Sequence, residues 1–283
     1  MVKIAVIDSG IDSKYLAGCN QICGGIGYEI LDGEIVECDY KTDYLGHGTS
    51  CVDTILNEVP FVKIFVVKIL NELGKTSIDV LIKSLEALYH LDINIINLSI
   101  SLTNTNQSSL KKVCRELLKQ GKVIVASVTN GENSSIPAKY DFVIGVRGIV
   151  TLKTNDVFYS FEQDIDLECD ALPVLVKGKD NEYVFFSGNS KATCIATAII
   201  AKELMNKKMT NLTELKKDIA LRYEYSNDSK RLSIDLFNET QFLKSNQEII
   251  SKRIDVSLVC DFLCNRLACS RSQVVSTPLI RLG

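Results

Sequence analysis

Four polar residues in this sequence occupy places where chemistry could be done. Asp8 and Ser190 each follow a short apolar run, Lys3–Ile7 and Tyr183–Phe186, and Asn130 stands just after Val123–Ser127. His47 lies between Gly46 and Gly48 at the opening of a predicted helix. A carboxylate, an imidazole, a carboxamide and a hydroxyl gathered on one rim are what a catalytic constellation requires, a nucleophile with a base beside it. Each residue also has a plainer reading. Asp8 suits a turn or a helix cap, His47 suits a glycine-flanked loop, and Ser190 suits the N-cap of the helix that follows. Their joint occurrence is what argues for chemistry.

The elements that must position them alternate in type. Lys3–Ile7, Phe61–Ile69, Ile93–Ile100, Val123–Ser127 and Phe142–Val146 are short apolar runs of the kind that form buried parallel strands. Between them, Thr76–Leu91 places Ile78, Leu81, Ile82, Leu85 and Leu88 at helical spacing, and Ser108–Gln120 reads as a helix closed by Gly121. Tyr183–Phe186 is strand-like, and Ala192–Met205 is a long apolar helix. This alternation predicts an α/β fold, a three-layer α/β/α arrangement with a mostly parallel central sheet. In such sheets ligands sit beyond the carboxyl ends of the strands, where Asp8, Asn130 and Ser190 fall. The α/β pattern occupies residues 1–225. Residues 226–283 turn polar and read as a C-terminal extension of unknown role.

Composition removes several function classes. The chain has 283 residues, 46% hydrophobic and 24% charged, with a net charge of −3. That balance offers no basic surplus for nucleic acid or an anionic membrane surface. The apolar run Phe61–Leu70 is interrupted by Lys63 and Lys68 and falls short of the ~20 residues a membrane span needs. Met1 leads directly into Val2-Lys3-Ile4 without a secretory pattern, so a cytoplasmic location is expected. The ten cysteines are scattered, and Cys51, Cys114 and Cys194 sit within apolar runs, as free buried thiols do in a reducing compartment. Cys19 and Cys23 lack a zinc-knuckle spacing, and Cys260, Cys264 and Cys269 form only a loose cluster. No metal and no cofactor are expected. Asp8-Ser9-Gly10-Ile11-Asp12 also lacks the glycine-rich phosphate loop of a nucleotide-binding protein.

The residues around these positions resemble a known family. Val6-Ile7-Asp8-Ser9-Gly10-Ile11 resembles the aspartate motif of the subtilisin-like serine peptidases, and Gly46-His47-Gly48-Thr49-Ser50 resembles their histidine motif. Phe186-Ser187-Gly188-Asn189-Ser190-Lys191-Ala192-Thr193 resembles the serine motif, and Val125–Gly131 the segment that carries the oxyanion asparagine. The order Asp, His, Ser is the subtilisin order. The likeness runs over residues 2–222.

The resemblance implies a serine endopeptidase acting on a peptide or protein substrate. Ser190 would be the nucleophile, His47 the general base and Asp8 its orienting carboxylate, with the oxyanion held by Asn130 and the Ser190 backbone N–H. Ser99-Ile100-Ser101-Leu102 would form the substrate-binding edge, to which an extended peptide adds as a strand. Ser101 and Leu102 stand where the family usually has glycines, which predicts a small residue before the scissile bond. Asn189, Lys191 and Cys194 replace the usual threonine, methionine and proline of the serine motif. Lys191 would put a positive charge beside the leaving group and favour acidic residues there. No oxygen-rich loop is found in Asn57–Val62, so the family's calcium is not expected at that place. Selective processing of an intracellular peptide or precursor follows as the expected role. The alternative is a catalytically weak, subtilisin-like module that binds peptides or regulates. The extension could also fill the substrate groove as an internal inhibitor. Composition is silent on oligomeric state.

Overall fold

The computed structural model describes residues 1–100, 108–129, 135–149, 155–160, 164–206 and 211–223. The 226–283 extension of the sequence reading, with its inhibitor role, lies outside the described residues.

Strand β1 (Lys3–Asp8) is central in a sheet of nine strands among the described residues. On one side of it stand β4 (Lys63–Lys68), β2 (Ile22–Leu31) and the edge strand β3 (Glu34–Glu37). On the other side follow β5 (Ile95–Leu98), β6 (Val123–Ser127), β7 (Ile144–Ile149), β9 (Leu167–Asp170) and the edge strand β8 (Val157–Tyr159). All pairings are parallel except those of the two edge strands, β2 with β3 and β8 with β9. A two-stranded antiparallel ribbon, β10 (Val174–Lys177) with β11 (Tyr183–Phe186), stands apart from the main sheet.

The apolar runs become strands because they can be buried on both faces. Ile4 and Val6 of β1 face one core with α2 (His47–Glu58), α5 (Gly188–Asn206) and α6 (Leu212–Arg222). Ala5 and Ile7 face the other with α3 (Ile78–Ala87) and α4 (Ser108–Lys119). The alternation is the period of two of a pleated strand. The fold is thus the three-layer α/β/α sandwich expected. Helix α5 is buried at every position from Lys191 to Ala201, which explains its lack of a polar face.

Boundaries and several elements differ from the sequence reading. The Thr76–Leu91 segment forms a helix only over Ile78–Ala87, because Ser77 caps Val80 N and the chain turns at Leu88. The Phe142–Val146 run starts its strand at Ile144 and continues to Ile149. Helix α5 begins at Gly188, so Ser190 lies inside the first turn and is not its cap. The short α1 (Ser13–Gly18), the glycine-rich β2, its hairpin partner β3, and β8, β9, β10 and α6 carried no clear periodic signal.

The strand order places the site. From β1 the chain crosses to β2 and β4 on one side and later returns to β5 on the other. The carboxyl ends of β1 and β5 therefore flank the point where the winding direction reverses, the customary crevice of such sheets. Asp8 ends β1 and Ser99 follows β5.

Candidate active site

Asp8 is almost wholly buried at the end of β1. The chain turns sharply beyond it at Gly10, whose φ of +109° favours glycine. The Ser9 backbone N–H donates to Asp8 Oδ1 at 2.8 Å. His47 opens α2, with the left-handed Gly46 (φ 74°) as cap residue. Its Nδ1 lies 2.7 Å from Asp8 Oδ1, a charge-assisted bond whose carboxylate end is buried while the imidazole is half-buried. The Asp8 carboxylate is the chief cause of a His47 pKa well above the ordinary imidazole value, while burial works against the charged form.

A second carboxylate holds the loop that carries His47. Asp43, 4% exposed, accepts hydrogen bonds from Ser9 Oγ and Thr49 Oγ1, each at 2.7 Å. It also accepts from the backbone N–H groups of Leu45, Gly46 and Thr49 at 3.2, 2.8 and 2.9 Å. Ser9 Oγ in turn accepts from Gly48 N at 2.8 Å. Asp43 thereby satisfies donors at the start of α2, where a negative charge also meets the helix dipole favourably.

One turn along α2, the buried Cys51 points its thiol at the same centre. Its Sγ lies 3.7 Å from Asp8 Oδ2 and from Ser99 Oγ, and 3.8 Å from His47 Nδ1. Burial pushes the Cys51 thiol pKa well up, so it stays neutral and donates weakly. The Phe186 ring meets the His47 ring edge-on, with centroids 5.4 Å apart and planes at 76°. The Asp8 carboxylate, the His47 ring and the Cys51 thiol bring their polar atoms within 4.8 Å of one another.

Ser190 is half-buried in the first turn of α5, four residues beyond Phe186. Its neighbours on both sides are anchored. The Asn189 carboxamide accepts from Gly148 N at 2.7 Å and donates to Val128 O at 3.1 Å. Lys191 Nζ donates to Asp170 Oδ2 and to Leu172 O, each at 2.7 Å, with no exposure of either charged side chain. This corrects the sequence expectation for Lys191. Its ammonium points into the protein and is spent on Asp170, so it presents no free charge to the leaving group.

The sequence-predicted residues thus divide. Asp8 and His47 are joined directly, and Ser99 is linked to them through Cys51. No hydrogen bond joins His47 to Ser190 among the described residues. Ile100 is half-buried against the α3/α4 core. Asn130, Ser101 and Leu102 lie outside the described residues. Cys51, Cys114 and Cys194 are free and buried, as expected from their apolar settings. Asp43, Cys51, Phe186 and Asp170 escaped the sequence reading as contributors here. An acidic residue shortly before a helix start is a capping signal that could have found Asp43; the others are joined to the site only by folding.

A buried carboxylate bonded to a half-buried histidine thus stands at the sheet switch point, and a half-buried serine opens helix α5. The sequence model of the Subtilase family matches residues 1–229, and the chain belongs to that family. Its class is that of serine-type endopeptidases, with peptides or proteins as substrates. Subtilisin DY of Bacillus licheniformis is 26% identical over 207 residues, 68% of this chain and 72% of that protein. The major intracellular serine protease of Bacillus subtilis (strain 168) is 26% identical over 208 residues, 68% of this chain and 64% of that protein. An intracellular serine protease of Paenibacillus polymyxa is 26% identical over 222 residues, 72% of this chain and 68% of that protein. Among solved structures, a cold adapted subtilisin-like serine proteinase superposes with a TM-score of 0.63 at 18% identity, covering 76% of this chain and 80% of that one. Among the described residues, no helix is long and apolar enough to cross a membrane.

Proposed function

We propose that the chain cleaves peptide bonds with Ser190 as nucleophile, His47 as general base and Asp8 as the carboxylate that orients it. The observation that carries this reading is the 2.7 Å bond from His47 Nδ1 to the buried Asp8, which turns the other ring nitrogen outward as a base. Ser190 Oγ attacks the scissile carbonyl carbon while His47 Nε2 takes the hydroxyl proton. The C–N bond breaks as His47 returns that proton to the leaving amine, and water releases the acyl group by the same steps in reverse. The Asn130 side chain and the Ser190 backbone N–H are the donors for the oxyanion, at a helix start where negative charge is favoured.

Ser99, Ile100, Ser101 and Leu102 form the edge for an extended substrate, with a small residue before the cleaved bond. Two relatives carry the name of intracellular serine proteases, which supports selective processing of an intracellular peptide or precursor.

The test pairs the protein with Ser190→Ala, each exposed to a fluorophosphonate probe and a diverse peptide library. Labelling and cleavage by the unmutated protein alone are expected, since losing the serine of a triad costs about 10⁶ in turnover. Absence of labelling in both would leave the binding or regulatory reading in its place.

A further inference from the structure

Two residues of the serine motif that depart from the family's usual pattern, Asn189 and Lys191, both engage buried partners. They flank Ser190. The Lys191–Asp170 pair is the more demanding of the two, because both charged side chains are wholly excluded from water. Taking each ion out of water costs several kcal/mol, and an apolar pair of similar volume often holds a fold as well or better. Stability alone therefore gives little reason for charges at this place.

What the pair supplies is direction. Asp170 is the last residue of β9, and its carboxylate also accepts from Leu172 N at 3.2 Å and Asn155 N at 3.0 Å. Its orientation is thus fixed by backbone donors as well as by Lys191. Lys191 Nζ then bridges Asp170 Oδ2 and Leu172 O, closing the 170–172 turn around the ammonium. Within that turn, Ala171 O accepts from Gly188 N at 2.9 Å. One turn of chain therefore grips the backbone two residues before Ser190 and the side chain one residue after it. From the other side, Asn189 is tied to Gly148 and Val128, at β7 and just past the end of β6.

We propose that the Lys191–Asp170 ion pair is a positioning element that fixes the first turn of α5 so that Ser190 Oγ is held in line for attack. The inference rests on the peptidase reading above. A nucleophile displaced by about 1 Å can lose on the order of 10²-fold in rate.

Single variants strand a buried charge and can unfold the protein, so the decisive variant is the double Lys191→Met/Asp170→Asn, which removes both charges at nearly constant size. Three quantities are measured for it and for the unmutated protein: thermal melting, the second-order rate of fluorophosphonate labelling, and kcat and KM on a peptide cut in the library digest. Positioning is expected to show as a folded double variant whose labelling rate and kcat fall about tenfold or more, with KM within about twofold. A folded double variant with labelling rate and kcat within about twofold of the unmutated protein overturns the inference. So does a double variant that does not fold, which would make the pair a stability element. Failure of the unmutated protein to label at all overturns the peptidase reading, and this inference with it, in a control that involves no change at either residue.

Discussion

Gly48 packs so closely beneath Gly10 that a Cβ on Gly48 would stand 2.3 Å from Gly10 O. Two glycines in contact let the start of α2 settle onto the turn after β1. That contact brings His47 within hydrogen-bond range of Asp8.

Gly48→Ala is therefore expected to push α2 away from the β1 turn. Overpacking of this kind costs about 1–3 kcal/mol, and a neighbour that is backbone cannot swing aside. The melting temperature should fall, and activity should fall further than stability alone explains, because the His47–Asp8 bond is stretched. A variant with unchanged melting and turnover would show that the contact relaxes without moving the pair.

Asp8→Asn should reduce turnover by about 10⁴ while leaving the protein folded. The pH profile carries the more specific expectation. Asp8 raises the His47 pKa, and His47 works as a base only when neutral. Activity of the unmutated protein should therefore rise with pH along a limb above the ordinary imidazole value of about 6.5. In Asp8→Asn the residual activity should rise at lower pH, since the charge that favours the imidazolium is gone. Measuring kcat/KM against pH for both proteins tests this; superimposable limbs would contradict it.

The same pair links stability to pH. The folded pKa of His47 is raised, so the folded state binds its proton more tightly than the unfolded chain does. This contribution is fully present below about pH 6.5, the unfolded value, and is lost as pH rises through the folded one. Denaturant titrations on Ser190→Ala, which removes self-digestion, should show that decline, and a second change of His47→Ala should flatten it.

Asp43→Ala should be among the more damaging single changes outside the triad. It orphans Ser9, Thr49 and the N–H groups at the start of α2, and each buried donor left unmade costs about 1–3 kcal/mol. A drop of several kcal/mol by denaturant unfolding is the expected outcome. Asp43→Asn keeps one acceptor oxygen and should lose less.

Much of the frame was legible in the chain alone. Runs such as Lys3–Ile7 and Val123–Ser127 are apolar on both strand faces, a pattern that only burial in a parallel sheet satisfies, and they became β1 and β6. Glycines on each side of His47 and the run before Asp8 marked two site positions for local reasons, the tight turn and the strand end. Less was legible where structure depends on partners. The β2 strand carries Gly24, Gly25 and Gly27 and has no periodic signal of its own; its pairing with β4 makes it a strand. Lys191 read as a positive charge beside the leaving group because position alone says nothing of a carboxylate 21 residues away; Asp170 turned it inward. Residue types and their order along the chain determined the fold class and nominated Asp8, His47 and Ser190. Only the tertiary structure decided which side chains meet: that Asp43 holds the His47 loop, that Cys51 lies against Asp8, and that Lys191 is buried. The Cys51–Asp8 and Lys191–Asp170 contacts join segments far apart in sequence, and their energies depend on distance and exclusion of water, which exist only once the sheet has assembled.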